Sequence, residues 1–222
     1  MTSVNCPRYE IIATGSQGNA VVIEGEILID CGVSWRALEP YWRRLRLVLL
    51  THAHSDHFNQ TTVQRLAAER PTLRCGCGAW MIQRLLRCKV HPGRIDVMNF
   101  GKVVHYGDYL AAKTFCLPHD VPNCGYALQT RGGSLLYATD ASNLDDVSAP
   151  NLNLYLLEAN HEVNEIQQRI AAKHAAGEYA YEKRAQHMHL SREQCDDFFC
   201  RMGGPNSILV YMHCHVDKEE VA

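Results

Sequence analysis

Three imidazoles and one carboxylate fall within six residues, His52-Ala53-His54-Ser55-Asp56-His57, directly after the apolar run Leu45-Arg46-Leu47-Val48-Leu49-Leu50. The run reads as a buried strand. The loop that leaves it therefore carries four metal-competent side chains at i, i+2, i+4 and i+5, too many to be core filling. That spacing lets one short loop wrap two adjacent cations. Imidazole and carboxylate are ligands that zinc, manganese and iron all accept. A solvated histidine-rich turn is the plain alternative, and it leaves unexplained the companion residues found further along the chain.

With 222 residues, 46% of them hydrophobic, the chain is long enough for a sizeable core. One domain over 1–222, or one sandwich of two halves, is expected. The formal charge of -2 gives no global basic field of the kind that attracts nucleic acid. Arginines cluster at Arg36, Arg43, Arg44 and Arg46 and again from Arg65 to Arg87. They suit phosphate contact, although on helix faces they read first as solvated surface. Ten cysteines are scattered, several inside apolar segments (Cys31, Cys116, Cys195, Cys200), as expected of free buried thiols. Cys75-Gly76-Cys77 lacks the second cysteine pair of a structural zinc site, so packing is its expected role. The opening Met1–Cys6 shows no charged-then-apolar signal pattern, and no apolar run approaches the roughly 20 residues of a membrane span. A reduced, cytoplasmic protein away from membranes is expected.

Strand-like and helix-like segments alternate in mixed order. Helices are expected at Ser34–Trp42, Thr61–Arg70, Ala79–Cys88, Glu162–Ala176 and Arg192–Met202, among some ten strand-like runs. Ligand-type residues collect where strands run out. Asp30 closes Ile27-Leu28-Ile29, His119-Asp120 follows Thr114–Pro118, Asp140 ends Leu135–Thr139, and His213 ends Ile208–Met212. A strand end is where a rigid scaffold presents function.

With these motifs in this order, the chain resembles the metallo-β-lactamase superfamily. The resemblance implies an α/β fold, specifically an αββα four-layer sandwich, with a dinuclear centre at one edge of its two sheets. Carried over by position, one metal would take His52, His54 and His119. The second would take Asp56, His57 and His213, and Asp140 would bridge the two. Asp30 would orient a histidine ligand by accepting its other N–H. Thr14-Gly15-Ser16-Gln17-Gly18-Asn19, Pro118-His119-Asp120, Leu157-Glu158-Ala159-Asn160-His161 and His189-Leu190-Ser191 further resemble the YycJ group, small ribonuclease Z-related proteins described as DNA exonucleases. The chain departs from that group at Glu162–Gln186 and offers a second histidine in His187-Met188-His189. Met212-His213-Cys214-His215 leaves two choices for the last ligand. His213 is favoured as the first residue after the strand, with His215 the alternative.

The resemblance places Asp56 and His189 in catalytic roles, His189 donating a proton or hydrogen bond to the phosphate or leaving oxygen. Asn160, His161 and Ser191 are candidates for supporting the ligands or lining the cleft, although Ser191 with Gln194 three residues on also reads as a helix cap. The expected cofactors are two divalent ions, zinc or manganese, with iron also accommodated. The expected chemistry is phosphodiester hydrolysis by a metal-bridged hydroxide, on DNA, RNA or a cyclic nucleotide. Alternatives are a cyclic-nucleotide phosphodiesterase, a carbonyl or thioester hydrolase, a redox diiron protein, and a metal-binding protein without chemistry. The oligomeric state stays open, a homodimer included.

Overall fold

The computed structural model describes residues 6–214. Its strands form two six-stranded sheets. The first runs in chain order through β1 (Tyr9–Ala13), β2 (Ala20–Ile23), β3 (Ile27–Ile29), β4 (Leu47–Leu50), β5 (Arg74–Cys77) and β6 (Ile95–Val97). The second runs from β7 (Val103–Tyr106) through β8 (Leu110–Leu117), β9 (Asn123–Thr130), β10 (Gly133–Ala138) and β11 (Leu154–Glu158) to β12 (Ile208–Met212). Each sheet begins as antiparallel hairpins and continues as parallel pairs, β3 to β6 in one and β10 to β12 in the other. Parallel neighbours need crossovers. These carry the helices α1 (Trp35–Leu38), α2 (Gln60–Glu69), α3 (Ile82–Arg87), α4 (Val163–Ala175), α5 (Glu182–Met188) and α6 (Arg192–Met202).

Strands covered on both faces explain the unbroken apolar runs at Ile27–Ile29, Leu47–Leu50 and Leu154–Leu157. Alternate side chains of the first sheet point to different cores. Val22, Leu28, Val48 and Leu50 pack under Leu38, Val63, Leu66 and Leu85 of the helices. Val21, Ile29, Leu47 and Leu49 meet Tyr126, Leu135, Tyr137 and Leu156 of the second sheet. On that sheet's far face, Leu136, Tyr155 and Leu157 pack with Leu190, Cys195 and Phe198. The layers are helix, sheet, sheet and helix, as expected. The parallel strands of each sheet release their C-termini on one edge, where open α/β sheets bind ligands.

Several local expectations are corrected. The helix at Ser34–Trp42 shrinks to α1 followed by turns, because Pro40 has no N–H to extend the ladder. The segment at Ala79–Cys88 opens as a 3-10 turn, Ala79–Met81, before α3. A helix, α5, stands where none was expected. Its sequence Glu-Lys-Arg-Ala-Gln-His-Met has no apolar stripe to announce it. Cys75 and Cys77 are buried in β5 as packing residues, and burial pushes both thiols up to about 12. Cys116 and Cys200, expected to be buried, are exposed.

Candidate metal centre

The histidine loop follows β4 and is tied to the loop that follows β3. Cys31 N donates to the His57 carbonyl oxygen (2.9 Å), Asn59 N to that of Cys31 (2.8 Å), and Asn19 N to that of Asp56 (2.6 Å). Gly32 is required by this close approach, since a Cβ there would stand 1.6 Å from the Asp56 carbonyl oxygen. Asn59 then caps α2 by accepting from Thr62 N (3.0 Å), which fixes the far end of the loop.

Across the same edge, three polar residues leave their strands with left-handed backbone: Asp30 (φ 58°), Asp140 (φ 57°) and His213 (φ 52°). Non-glycine residues rarely adopt this conformation, and where they do the surrounding structure holds them there. Two triads result, His52–His54–His119 and Asp56–His57–His213, in each of which the ligand atoms lie within 4.8 Å of one another. Asp140 lies between them. One of its oxygens is 2.7 Å from His57 Nε2, and the other is 3.7 Å from His213 Nε2 and 3.9 Å from His119 Nε2. It also groups with His52 and His57.

The rings are oriented from behind. His57 Nδ1 meets Asp30 Oδ2 at 2.7 Å. Asp30 Oδ1 accepts from the Thr51 backbone N–H at 2.9 Å, and Thr51 Oγ1 lies 2.9 Å from His52 Nδ1. On the opposite side of the His57 ring, Asn19 holds its amide nitrogen 2.8 Å from Nε2. A second buried carboxylate does the same for the other half of the site. Glu158, fully buried at the end of β11, places Oε1 2.6 Å from His189 Nδ1 and 3.1 Å from His213 Nδ1. Its Oε2 accepts from the backbone N–H groups of Ala141 (2.9 Å) and Leu190 (3.2 Å). Asn160 donates to the His213 carbonyl oxygen at 3.1 Å. Asn19 and Glu158 lie in motifs that carry the YycJ resemblance and Thr51 precedes the histidine loop, but the sequence assigns none of the three a role of its own. Glu158 carried a usable signal, an acidic residue closing the apolar run Leu154–Leu157.

The donor set fits divalent cations. His52, His119 and His213 each keep a buried Nε2 with no hydrogen-bond partner, aimed among carboxylates. Burial, reinforced by neighbouring imidazoles, lowers His52 to about 2, so its lone pair is free. Burial alone would also lower His57, but the charges of Asp30 and Asp140 and hydrogen bonds to both push it up to about 10. Imidazoles crowded against anionic carboxylates are the composition of a cation site.

His189 follows α5 and stacks on His213 with ring centroids 5.3 Å apart. Its Nδ1 is 3.6 Å from Asp140 Oδ1. Burial opposes its charge, but the hydrogen bond to Glu158 and that carboxylate's charge hold it above its ordinary value. With Ser16, Asp120, Tyr181 and Arg184 it lines a hollow of about 680 Å³ over the two triads. Asp120 contacts His54 and His119 and pairs with Arg184 of α5.

Two candidates stand outside the hollow itself. The Ser191 hydroxyl accepts from Gln194 N and forms a capping box for α6, so it is committed to the helix and does not line the hollow. His161 bridges to Ser191 and lines a neighbouring groove with Glu162, Ile166 and Glu182, which shares Tyr181 and Ala185 with the hollow. His215 lies outside the described residues.

Residues 26–214 match the family described as "Beta-lactamase superfamily domain". Among curated relatives, "Exodeoxyribonuclease WalJ" of Streptococcus pneumoniae serotype 2 (strain D39 / NCTC 7466) is 26% identical over 236 residues, covering 96% of this chain and 82% of the relative. "Exodeoxyribonuclease YycJ" of Bacillus anthracis is 25% identical over 169 residues, covering 70% of this chain and 63% of the relative. The crystal structure of the metallo-beta-lactamase fold protein YhfI from Bacillus subtilis superposes with a TM-score of 0.72 at 14% identity, over 97% of this chain and 90% of that one.

Proposed function

The chain belongs to the metallo-β-lactamase superfamily, and from that premise we propose that it is a metal-dependent phosphodiesterase acting on nucleic acid, in the manner of a DNA exonuclease. The observation that carries this reading is the pairing of two three-residue ligand sets about Asp140 with a histidine, His189, braced over them by a buried carboxylate. The similarity to two relatives named exodeoxyribonucleases supports the same substrate class.

In this reading His52, His54 and His119 would hold one divalent ion and Asp56, His57 and His213 the other, with Asp140 able to serve both. Zinc or manganese suits these donors, and iron is also accommodated. Such a pair supplies an activated water at neutral pH and positive charge for the phosphoryl oxygens. The chain does the rest. Asp30 and Thr51 hold the Nδ1 sides of His57 and His52, which leaves their Nε2 atoms grouped with Asp140. Asp56, whose carboxylate lies 3.6 Å from both His57 Nε2 and His213 Nε2, accepts the proton of the attacking water as well as holding metal. His189, whose hold on its proton Glu158 strengthens, donates a ring N–H proton to the leaving oxygen. Arg184, on the wall of the hollow, offers a cation to a neighbouring phosphate.

The chain acts as one domain over 1–222 in the cytoplasm. Among the described residues no helix is long and apolar enough to cross a membrane. All seven ligands come from one chain, so the chemistry does not require a homodimer. The test is hydrolysis of linear DNA, cyclic nucleotides, bis-p-nitrophenyl phosphate and a thioester, with manganese and with zinc. DNA cleavage that disappears in a His52→Ala/Asp140→Asn double variant and falls steeply with salt is the expected outcome. Full phosphodiesterase activity in that variant, or thioester hydrolysis alone, refutes the reading.

A further inference from the structure

Beside the metal pocket, the same edge of the fold carries an aromatic shelf that the hydrolytic machinery does not use. Trp80 sits in the 3-10 turn after β5, and its indole lies across Gly78. A Cβ at Gly78 would fall 2.1–2.3 Å from three ring carbons, so glycine is what admits the ring there. The indole N–H donates to the carbonyl oxygen of Thr51 at 3.2 Å, one residue before the ligand His52. The ring is therefore fixed in position relative to the histidine loop. Phe100 stands beside it, ring centroids 5.7 Å apart and planes tilted by 34°, and is 44% exposed. Pro118, Val121 and Pro122 complete a depression of about 620 Å³.

His119 and Asp120 line both this depression and the metal pocket, so the two hollows meet at a metal-ligand candidate. At the floor is Asn123, 1% exposed. Its amide nitrogen donates to the carbonyl oxygens of Thr139 and Asp140, while its Oδ1 is buried with no hydrogen-bond partner. Two apolar ring faces tilted by 34°, one of them fixed by its N–H bond, with a spare acceptor in the same depression, suit an aromatic ring that carries amino groups.

We propose that the Trp80–Phe100 shelf is a nucleobase subsite, holding the base next to the phosphodiester bound in the metal pocket. This rests on the phosphodiesterase reading and adds to it. The bases of a strand cleaved at the triads must lie to one side of His119 or the other; the metal-pocket side offers the single ring of Tyr181, whereas this side offers two aromatic rings side by side, one of them fixed to the histidine loop. Stacking of this kind is tolerant of base identity, because every base presents a π-face. The shelf therefore selects for the presence of a base near the cut, without reading sequence.

The experiment compares kcat/KM on two single-stranded oligonucleotides of equal length, one ordinary and one whose nucleotides around the cleaved bond are abasic. The protein with Phe100 should prefer the ordinary strand by about 5- to 150-fold, the range that one base–aromatic stack supplies. Phe100→Ala should reduce that preference at least about fivefold and leave the rate on the abasic strand unchanged, while Phe100→Tyr should restore it. Phe100 is exposed, so its truncation leaves the Trp80–Thr51 contact in place. Equal rates on both strands, or an Ala variant that slows both alike, would overturn the subsite while leaving the phosphodiesterase reading intact. Cleavage of neither strand would overturn both.

Discussion

Glu158→Gln is the most informative single substitution in this site. The carboxylate is held well ionised: burial opposes its charge, but hydrogen bonds from His189 and His213 lower its pKa below the ordinary value. It therefore acts only as an acceptor. Oε1 faces two imidazole N–H groups and Oε2 faces two backbone N–H groups. Glutamine has the same shape, but whichever way its amide is turned the NH2 group meets two donors. Two buried donors lose their acceptor at about 1–3 kcal/mol each, or about 2–6 kcal/mol together. Loss of support behind a ligand histidine should also weaken metal binding by about 10- to 100-fold. Denaturant unfolding of the metal-free protein measures the first effect, and competition against a chromophoric chelator measures the second. The sign of the pH effect is also fixed. His189 carries its proton to higher pH than a free imidazole because of Glu158. Without that charge the alkaline fall in kcat/KM should move to lower pH. Wild-type metal affinity with an unmoved alkaline limb would refute the role given to this carboxylate.

Two further outcomes follow from the same geometry. Gly32→Ala drives a Cβ into the Asp56 carbonyl oxygen, and overpacking against backbone costs about 1–3 kcal/mol or more. The metal retained per chain after dialysis should fall below wild type, and full occupancy would show that the loop does not need this approach. His57, raised from 6.5 to about 10, is protonated in the metal-free protein at neutral pH. Its contribution to the stability of that form is complete below 6.5 and is lost as pH rises through about 10. Metal needs the lone pair that this proton occupies, so uptake at pH 7 should release protons, measurable by calorimetry in buffers of different ionisation enthalpy. Uptake without release would contradict a protonated His57.

What could be read in the sequence was whatever stood out against an apolar strand. The histidine loop, Asp30, Asp140 and His213 each interrupt a hydrophobic run, and the structure brings all of them to one edge. Glu158 has the same signature, an acidic residue closing the apolar run Leu154–Leu157, but its pairing with Met212 keeps it within the strand, so it does not follow a strand's end as the others do. Thr51 and Asn19 act through a hydroxyl and an amide, groups too common in loops to attract notice before the fold juxtaposes them. The α5 helix has almost no apolar residues, so periodicity could not reveal it or the wall it builds with Tyr181 and Arg184. Ser191 carries two messages, and the local one, its capping box with Gln194, is visible in the structure. The Trp80–Phe100 pair depends on a 3-10 turn and on residues twenty positions apart, neither of which a pattern along the chain encodes.

The left-handed backbone at positions 30, 140 and 213 sets thermodynamic and chemical demands against each other. Glycine would relieve the conformational penalty at each, of order 1 kcal/mol, yet glycine brings no donor atom. A descendant of this fold that had abandoned hydrolysis would be released from that conflict. Drift toward glycine at these three corners, with the surrounding hydrophobic layers intact, is the scar such a loss would leave.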